Sequence, residues 1–320
     1  MADPVPHDIR QLADERARAR RSRDWATADR IKAELEAAGW RVVDAATLYS
    51  LERLAPSVVE VEGELRYGAS TAVPSRLDEP AEVRTTVVLI APAHAGLLPD
   101  AVAALRSGSP GAQLVVVANA PADDIASEIE GLPPGVEVVR LAARLGAAAA
   151  VNAGVRRAVG GVVIVLDPRV EAHGDLASAL ASVLDDSTVG VAGLRGLATA
   201  DLIHFEPAPA ESADVVAVDG LAMAFRRSDY IERGPLDEHF TLPDYLDVWW
   251  SLVLRDLRES EEADEPDEAG AAPRRAVAVD VPVSIRETDD PPSDERLAKK
   301  HRYRFLKRFA TRRDLLPATE

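Results

Sequence analysis

Asp167 is the first residue whose surroundings suggest chemistry. It follows five apolar residues in a row, Val162 to Leu166. An unbroken apolar run of that length reads as a strand buried on both faces of a parallel sheet, and Asp is a poor strand residue. In open α/β sheets ligands bind outside the carboxyl ends of the strands, which is where Asp167 stands. A carboxylate there has two readings. It serves a metal or phosphate site, or it simply ends the strand.

The elements that must position Asp167 alternate along the chain. Leu145 and Gly146 open a helix over Ala147 to Val159, with Asn152 and Gly154 inside it, and Gly160-Gly161 ends it. Upstream, Thr86 to Pro92 reads as the first buried strand, Leu98 to Ser107 as a helix, Gln113 to Ala118 as a strand, Asp124 to Ile129 as a helix and Val136 to Arg140 as a third strand. Downstream come a helix over Gly174 to Leu184, a buried strand over Val189 to Leu194, a helix over Leu242 to Leu257 and a strand over Ala276 to Ile285. Strands alternating with helices predict an α/β domain with a mostly parallel sheet flanked by helices. It spans residues 85–320. Ahead of it, residues 1–50 read as a helical hairpin, with Asp24 capping a second helix that carries Trp25, Ala28, Ile31 and Leu35 at helical spacing. Gly39 stops that helix and Trp40 to Asp44 reads as a short strand. Residues 51–84 read as a linker holding a small hairpin around Gly63.

Composition narrows the function. Hydrophobic residues make up 47% of the 320 positions but aromatics only 4%, so the core is Ala, Val and Leu. Cys is absent, which excludes disulfides, thiolate catalysis and cysteine zinc sites. No apolar run approaches the ~20 residues of a membrane-spanning helix and no signal-peptide pattern opens the chain, so a cytoplasmic protein is expected. The net charge of −17 argues against nucleic acid as a partner. That charge is uneven. Residues 258–275 form an acidic stretch, with seven acidic residues between Glu259 and Glu268, and read as a disordered insertion. Arg296 to Arg313 holds nine basic residues and no acidic ones. It reads either as a packed helix with a solvated basic face or as contact with an anionic membrane surface.

Two segments carry a resemblance. LGAAAAVNAG…AVGGVVIVLDPRV and VDGLAMAFRRSDYIERGPLDEHF resemble the family 2 glycosyltransferases of the Rossmann-like GT-A fold, in order along the chain. The resemblance implies a donor site. Pro92 and His94 would end the first strand against the nucleotide, though His94 reads equally as an ordinary loop residue. Asn119 and Asp123 remain from the family's Asp-Asn-x-Ser-x-Asp motif, whose first Asp is Ala118 here. Arg144 and Gly146 would lie near the diphosphate. Asn152 would also bind the donor, as would Gly220 and Arg226 in the second segment and Arg304 on the C-terminal helix. The family's Asp-x-Asp motif, which binds Mg2+ or Mn2+, reads Asp167-Pro168-Arg169. Asp167 is then the metal ligand, whereas Arg169 cannot bind a metal and would neutralise a diphosphate directly. Asp247 falls at the position of the family's catalytic base, with Leu246 replacing the Glu before it. Asp237, in the Leu-Asp-Glu loop on the acceptor side, is a second catalytic candidate. Trp249 and Trp250 either stack on a sugar or pack in the core, core being the commoner fate of such a pair.

The implied activity is transfer of a hexose from a nucleotide-sugar donor to the hydroxyl of a glycan or lipid-linked acceptor, as in cell envelope polysaccharide synthesis, with inversion at the anomeric carbon. The altered motifs imply an alternative, a catalytically degenerate module that binds nucleotide, glycan or a protein partner. Separately, the run IRQLADERARARRSRDWATADRIKAELEAAGWRVVDA is similar to the small C-terminal helical domain of cysteinyl-tRNA synthetases, which helps hold a tRNA. Here the bland reading, a packed hairpin with solvated arginines, is favoured because a net-acidic chain repels phosphate backbones.

Overall fold

The computed structural model describes residues 5–22, 24–45, 48–53, 57–209, 213–257, 272–289 and 294–316. Most of the acidic 258–275 stretch lies outside the described residues. The chain divides into two compact units, Met1–Gly63 and Glu64–Glu320.

In the first unit, α1 (His7–Arg21) and α2 (Trp25–Ala37) precede an antiparallel pair, β1 (Trp40–Ala45) and β2 (Leu48–Arg53). Ile9 and Ala13 from α1 and Ile31 and Leu35 from α2, each pair four residues apart, bury a small core with Trp40. Asp24 caps α2, accepting from the Thr27 amide at 3.1 Å. Trp25 does not join the core as its spacing suggested. It is 56% exposed, and the Arg20 guanidinium lies over its ring at 5.9 Å. A short strand, β3 (Val58–Val61), follows, and the chain then turns through Glu62 and Gly63, both with positive φ (54° and 82°).

The second unit begins with β4 (Glu64–Tyr67) and a one-turn helix at Ser70–Ala72. The segment expected to be linker is tied down here. Val73 is buried, and the carbonyls of Val73 and Pro74 accept from Arg156 and Arg157. Then come β5 (Val83–Ile90), α3 (Leu97–Gly108), β6 (Gln113–Ala118), α4 (Asp123–Glu130), β7 (Val136–Arg140), α5 (Ala147–Val155), β8 (Gly160–Leu166), β9 (Val170–Ala172), α6 (Leu176–Val183), β10 (Val189–Gly193) and β11 (Gly196–Ala198). The two-residue strands β12 (Glu206–Pro207), β13 (Asp214–Val215) and β14 (Ala217–Val218) lead to β15 (Ala222–Arg226), α7 (Arg227–Arg233), α8 (Leu246–Arg255), β16 (Arg275–Ala278), β17 (Val283–Ile285) and α9 (Glu295–Phe309).

An eight-stranded sheet organises this unit, in the order β13-β16-β10-β15-β8-β5-β6-β7. The run β8-β5-β6-β7 is parallel, while β15 runs antiparallel to both β8 and β10. Side chains alternate across the pleat. Val88, Val115, Val117, Val163 and Val165 face a core completed by α5, α8 and α9. Val87, Leu89, Val116, Ile164 and Leu166 face one completed by α3, α4 and α6. Helices on both faces explain why these strands read as unbroken apolar runs.

Helix α5 stops at Val155, short of the expected Val159. Gly160 and Gly161 are not its terminator but the first residues of β8. A Cβ at Gly160 would stand 2.4 Å from the Thr86 amide nitrogen. The glycine is therefore required by the close approach of β8 to β5 rather than by a helix end. Helix α8 is likewise shorter than Leu242 to Leu257, because the preceding loop turns through Tyr245 in the left-handed region, φ 65°.

Candidate active site

Asp167 leaves the carboxyl end of β8, and its amide donates to Leu221 O at 2.9 Å. That bond sets the register by which Leu166 pairs with Ala222, the first residue of β15. The turn just before β15, Asp219-Gly220, therefore stands next to Asp167. The Asp219 amide in turn donates to Arg195 O at 3.0 Å, beyond the end of β10. The first turn of α8 closes the group from above. Asp247 accepts from its neighbour's amide, Val248 N, at 2.8 Å and from the Gly220 amide. Three carboxylates, Asp167, Asp219 and Asp247, with Arg169 and Arg195, thus gather at one edge of the sheet from β8, β10, β15 and α8.

The charges act on one another. Burial raises Asp219 above the ordinary carboxylate range, and the Asp167 charge adds to it, while the Leu221 amide, Arg195 and Arg169 oppose. Asp247 is pushed up to about 6, first by burial, then by the Asp219 charge, against the amides of Val248 and Gly220. A carboxylate at that level is largely ionised at neutral pH and still basic enough to take a proton. Leu246 does not leave Asp247 without an acidic neighbour, since Asp219 supplies one from another element. A cavity of about 350 Å³ opens alongside, lined by Arg195, Asp280 and the apolar side chains of Leu194, Val281 and Ile285.

Asp167 is not presented to a metal. The Arg169 guanidinium grips its carboxylate, with Nε at 3.1 Å from both oxygens and a terminal nitrogen at 2.7 Å from Oδ2. The Arg169 amide adds a bond to Oδ1 at 2.8 Å. Among the described residues no group of three or more His, Asp or Glu side chains could hold a metal ion. The donor set therefore does not fit the Mg2+ or Mn2+ expected at Asp167, because a hard divalent cation needs several oxygen ligands.

The other expected site residues are placed by other elements. Asn119 clamps the neighbouring loop in both directions, donating to Leu145 O at 3.0 Å and accepting from Leu145 N at 2.7 Å. Gly146 is the N-cap of α5, where a Cβ would stand 2.8 Å from Thr241 Cα. The α5 amides of Ala147 and Ala148 donate to Thr241 O and Phe240 O, so these helix-end donors face protein rather than phosphate. Arg144 is exposed on the loop before α5, Asp123 is exposed in the first turn of α4, and Pro92 and His94 lie in the loop after β5.

Three expectations need correction. Asn152 is buried in α5, and both ends of its amide are committed to the protein. It donates to Leu236 O at 2.8 Å and to Glu238 at 3.1 Å, and it accepts from Leu236 N at 2.9 Å and Tyr230 OH at 3.0 Å. Arg226 lies at the wrong edge. β15 is antiparallel, so Arg226 pairs with Val162 while Ala222 pairs with Leu166, placing Arg226 roughly 13 Å from the Asp167 edge at ~3.3 Å per residue. There it binds the carbonyls of Leu184, Asp186 and Val189. Arg304, on α9, pairs with Asp237, and His239 holds the other Asp237 oxygen at 2.8 Å. Burial raises Asp237, but the bonds from Arg304 and His239 outweigh it and the net shift is downward. A carboxylate so engaged is a weaker base than Asp247. Trp249 and Trp250 are core residues, packed on Phe240 at 5.0 Å and on Phe225 at 5.6 Å.

Residues 86–232 match the family described as glycosyl transferase family 2. The match covers the central segment of the chain, and this segment resembles the family 2 glycosyltransferases. The crystal structure of GalNAc-T7 with UDP, GalNAc and Mn2+ is similar at a TM-score of 0.53 and 16% identity, over 70% of this chain and 48% of that one. The chain thus spans about half the length of that relative, and at such identity the likeness establishes the GT-A fold alone. The mannosyltransferase PcManGT from Pyrobaculum calidifontis, solved with GDP-Man and Mn2+, gives a TM-score of 0.44 at 19% identity over 63% of this chain and 58% of that one. In the N-terminal part, a stretch of 44 residues is 57% identical to Cysteine--tRNA ligase 1 of Burkholderia lata, covering 14% of this chain and 9% of that protein.

Asp219 and Arg195 are the residues that the linear motifs did not single out. Asp219 has the same signal as Asp167, an acid after the apolar run Val215–Val218, but that run is split between two short strands.

Proposed function

We propose that the chain transfers a sugar from a nucleotide-sugar donor to an acceptor hydroxyl, with inversion, and that Asp247 is the base. The observation that carries this reading is the place of the Asp247 carboxylate, raised to about 6, beside Asp219 and Asp167 at the carboxyl edge of the sheet. Asp247 takes the acceptor proton as that oxygen forms its bond to the sugar C1, and the bond from C1 to the diphosphate oxygen breaks on the opposite face. Arg169 and Arg195 face the negative charge that develops on the departing nucleoside diphosphate. The acceptor is a glycan or lipid-linked saccharide, and α9, with exposed Arg296, Lys300, Arg302 and Lys307, gives the chain a basic face for an anionic membrane surface. No described helix is long and apolar enough to cross a membrane.

A panel of nucleotide sugars, assayed for transfer and for hydrolysis, tests the reading. The product's anomeric configuration, followed by NMR, should be opposite to that of the donor. The α5 amides closed by Phe240 and Thr241 favour a second reading, a module that binds a nucleotide or glycan without turning it over. Tight nucleotide binding with no turnover of any donor would decide for it.

The residues assigned to this site all belong to the second unit, Glu64–Glu320. A chain beginning at Glu64 should bind nucleoside diphosphate within about twofold of the full-length protein. A cut near Glu82 would instead remove Val73 and Ser70, which are buried in the second unit, and should cost stability. Calorimetric titration of the chain beginning at Glu64 and thermal denaturation of the one cut near Glu82 check the two expectations.

A further inference from the structure

We propose that this site binds its nucleoside diphosphate without metal, with the guanidinium of Arg169 in the role that a divalent cation would fill. The inference rests on the donor reading above and concerns the counter-charge at that site. Three observations carry it. First, Asp167 has no second carboxylate two residues on, and both its oxygens already receive Arg169. A cation could reach it only by breaking a bidentate charge-assisted pair.

Second, Arg169 is held in place by its own backbone. Its amide bonds Asp167, its carbonyl accepts from Arg286 N at 3.0 Å, and the next residue opens β9, which pairs with β17. The side chain nevertheless keeps 35% of its surface exposed, so the charge is positioned without being sealed off. Third, Arg195 stands across the same group, acting on Asp219 and lining the adjoining cavity. Two guanidinium groups bring the same formal charge as one divalent ion, and guanidinium matches phosphate oxygens in a bidentate geometry.

The test is titration calorimetry of the full chain with UDP and with GDP, in EDTA and in Mn2+, beside Mn2+ alone followed by electron paramagnetic resonance. Wild type should bind its preferred nucleotide equally in EDTA and Mn2+, within about twofold, and should leave the free Mn2+ signal unchanged. Arg169→Ala should weaken binding at least tenfold in both conditions. Arg169→Asp should lose binding in EDTA, recover it in Mn2+ and take up Mn2+ by itself. Wild-type binding that requires Mn2+, or an Arg169→Ala variant that binds as wild type does, would overturn the inference while leaving the donor reading intact. Absence of binding under both conditions by the folded protein would overturn the donor reading and this inference with it. Circular dichroism of each variant identifies any loss that comes from misfolding.

Discussion

Asp247→Asn should lower turnover by about 10²–10⁴-fold, the usual worth of a general base, while nucleotide binding stays unchanged. The substitution keeps the side chain's shape and, through its one amide oxygen, its ability to accept from the Val248 amide. What it removes is the capacity to take a proton. The wild-type kcat/KM should rise with pH and level off above about 6, where Asp247 ionises, and the residual activity of the variant should lack that step. Stability should move the other way. Between the ordinary 3.8 and about 6 the folded chain holds this proton and the unfolded chain does not, so ionising Asp247 lowers stability as pH rises through that window. The Asp247→Asn variant should therefore melt at or above the wild-type temperature at pH 7. Normal turnover in a well-folded variant would move the role to another carboxylate, Asp219 first.

Asn152→Ala should destabilise the second unit by about 3 kcal/mol. The amide is buried, and its removal strands the Leu236 amide, the Leu236 carbonyl and the Tyr230 hydroxyl, each expensive to leave unpaired. Asn152→Asp should be no milder, since a carboxylate cannot donate to Leu236 O and would be charged in an apolar setting. Urea denaturation of both variants measures the loss. Near-wild-type stability in Asn152→Ala would mean that water replaces the amide and that the loop is held elsewhere.

The parts of the fold that the linear chain reveals are those where local pattern and global position agree. Val162 to Leu166 is apolar because β8 is covered on both faces, and Asp167 stands out because that cover ends there. The same logic fails at Arg226. Whether β15 runs with or against β8 is decided by the pairing of Ala222 with Leu166, which no local spacing encodes, and reversing a strand moves its last residue to the other edge of the sheet. Asn152 carries a family pattern but gains its meaning from Leu236, 84 positions away. Gly160 looks like a helix stop because nothing nearby shows that Thr86 needs the space. Asp219 is visible only once β8 and β15 are laid side by side.

The segment from Leu236 to Thr241 is tied down by unrelated means. Asn152 holds its start, Arg304 grips Asp237, the first α5 amides take the carbonyls of Phe240 and Thr241, and His301 receives the Thr241 amide at 3.2 Å. These ties come from α5 in the middle of the chain and α9 near its end, so none can be released without loading the rest. Hydrogen exchange should then report one opening event for the whole segment, with the amides of Leu236, Thr241, Ala147 and Ala148 sharing a single free energy rather than fraying in turn. The loop over 236–241, the start of α5 and the basic C-terminal helix would answer as one cooperative element, and anything that displaced α9 would be felt at the N-terminus of α5.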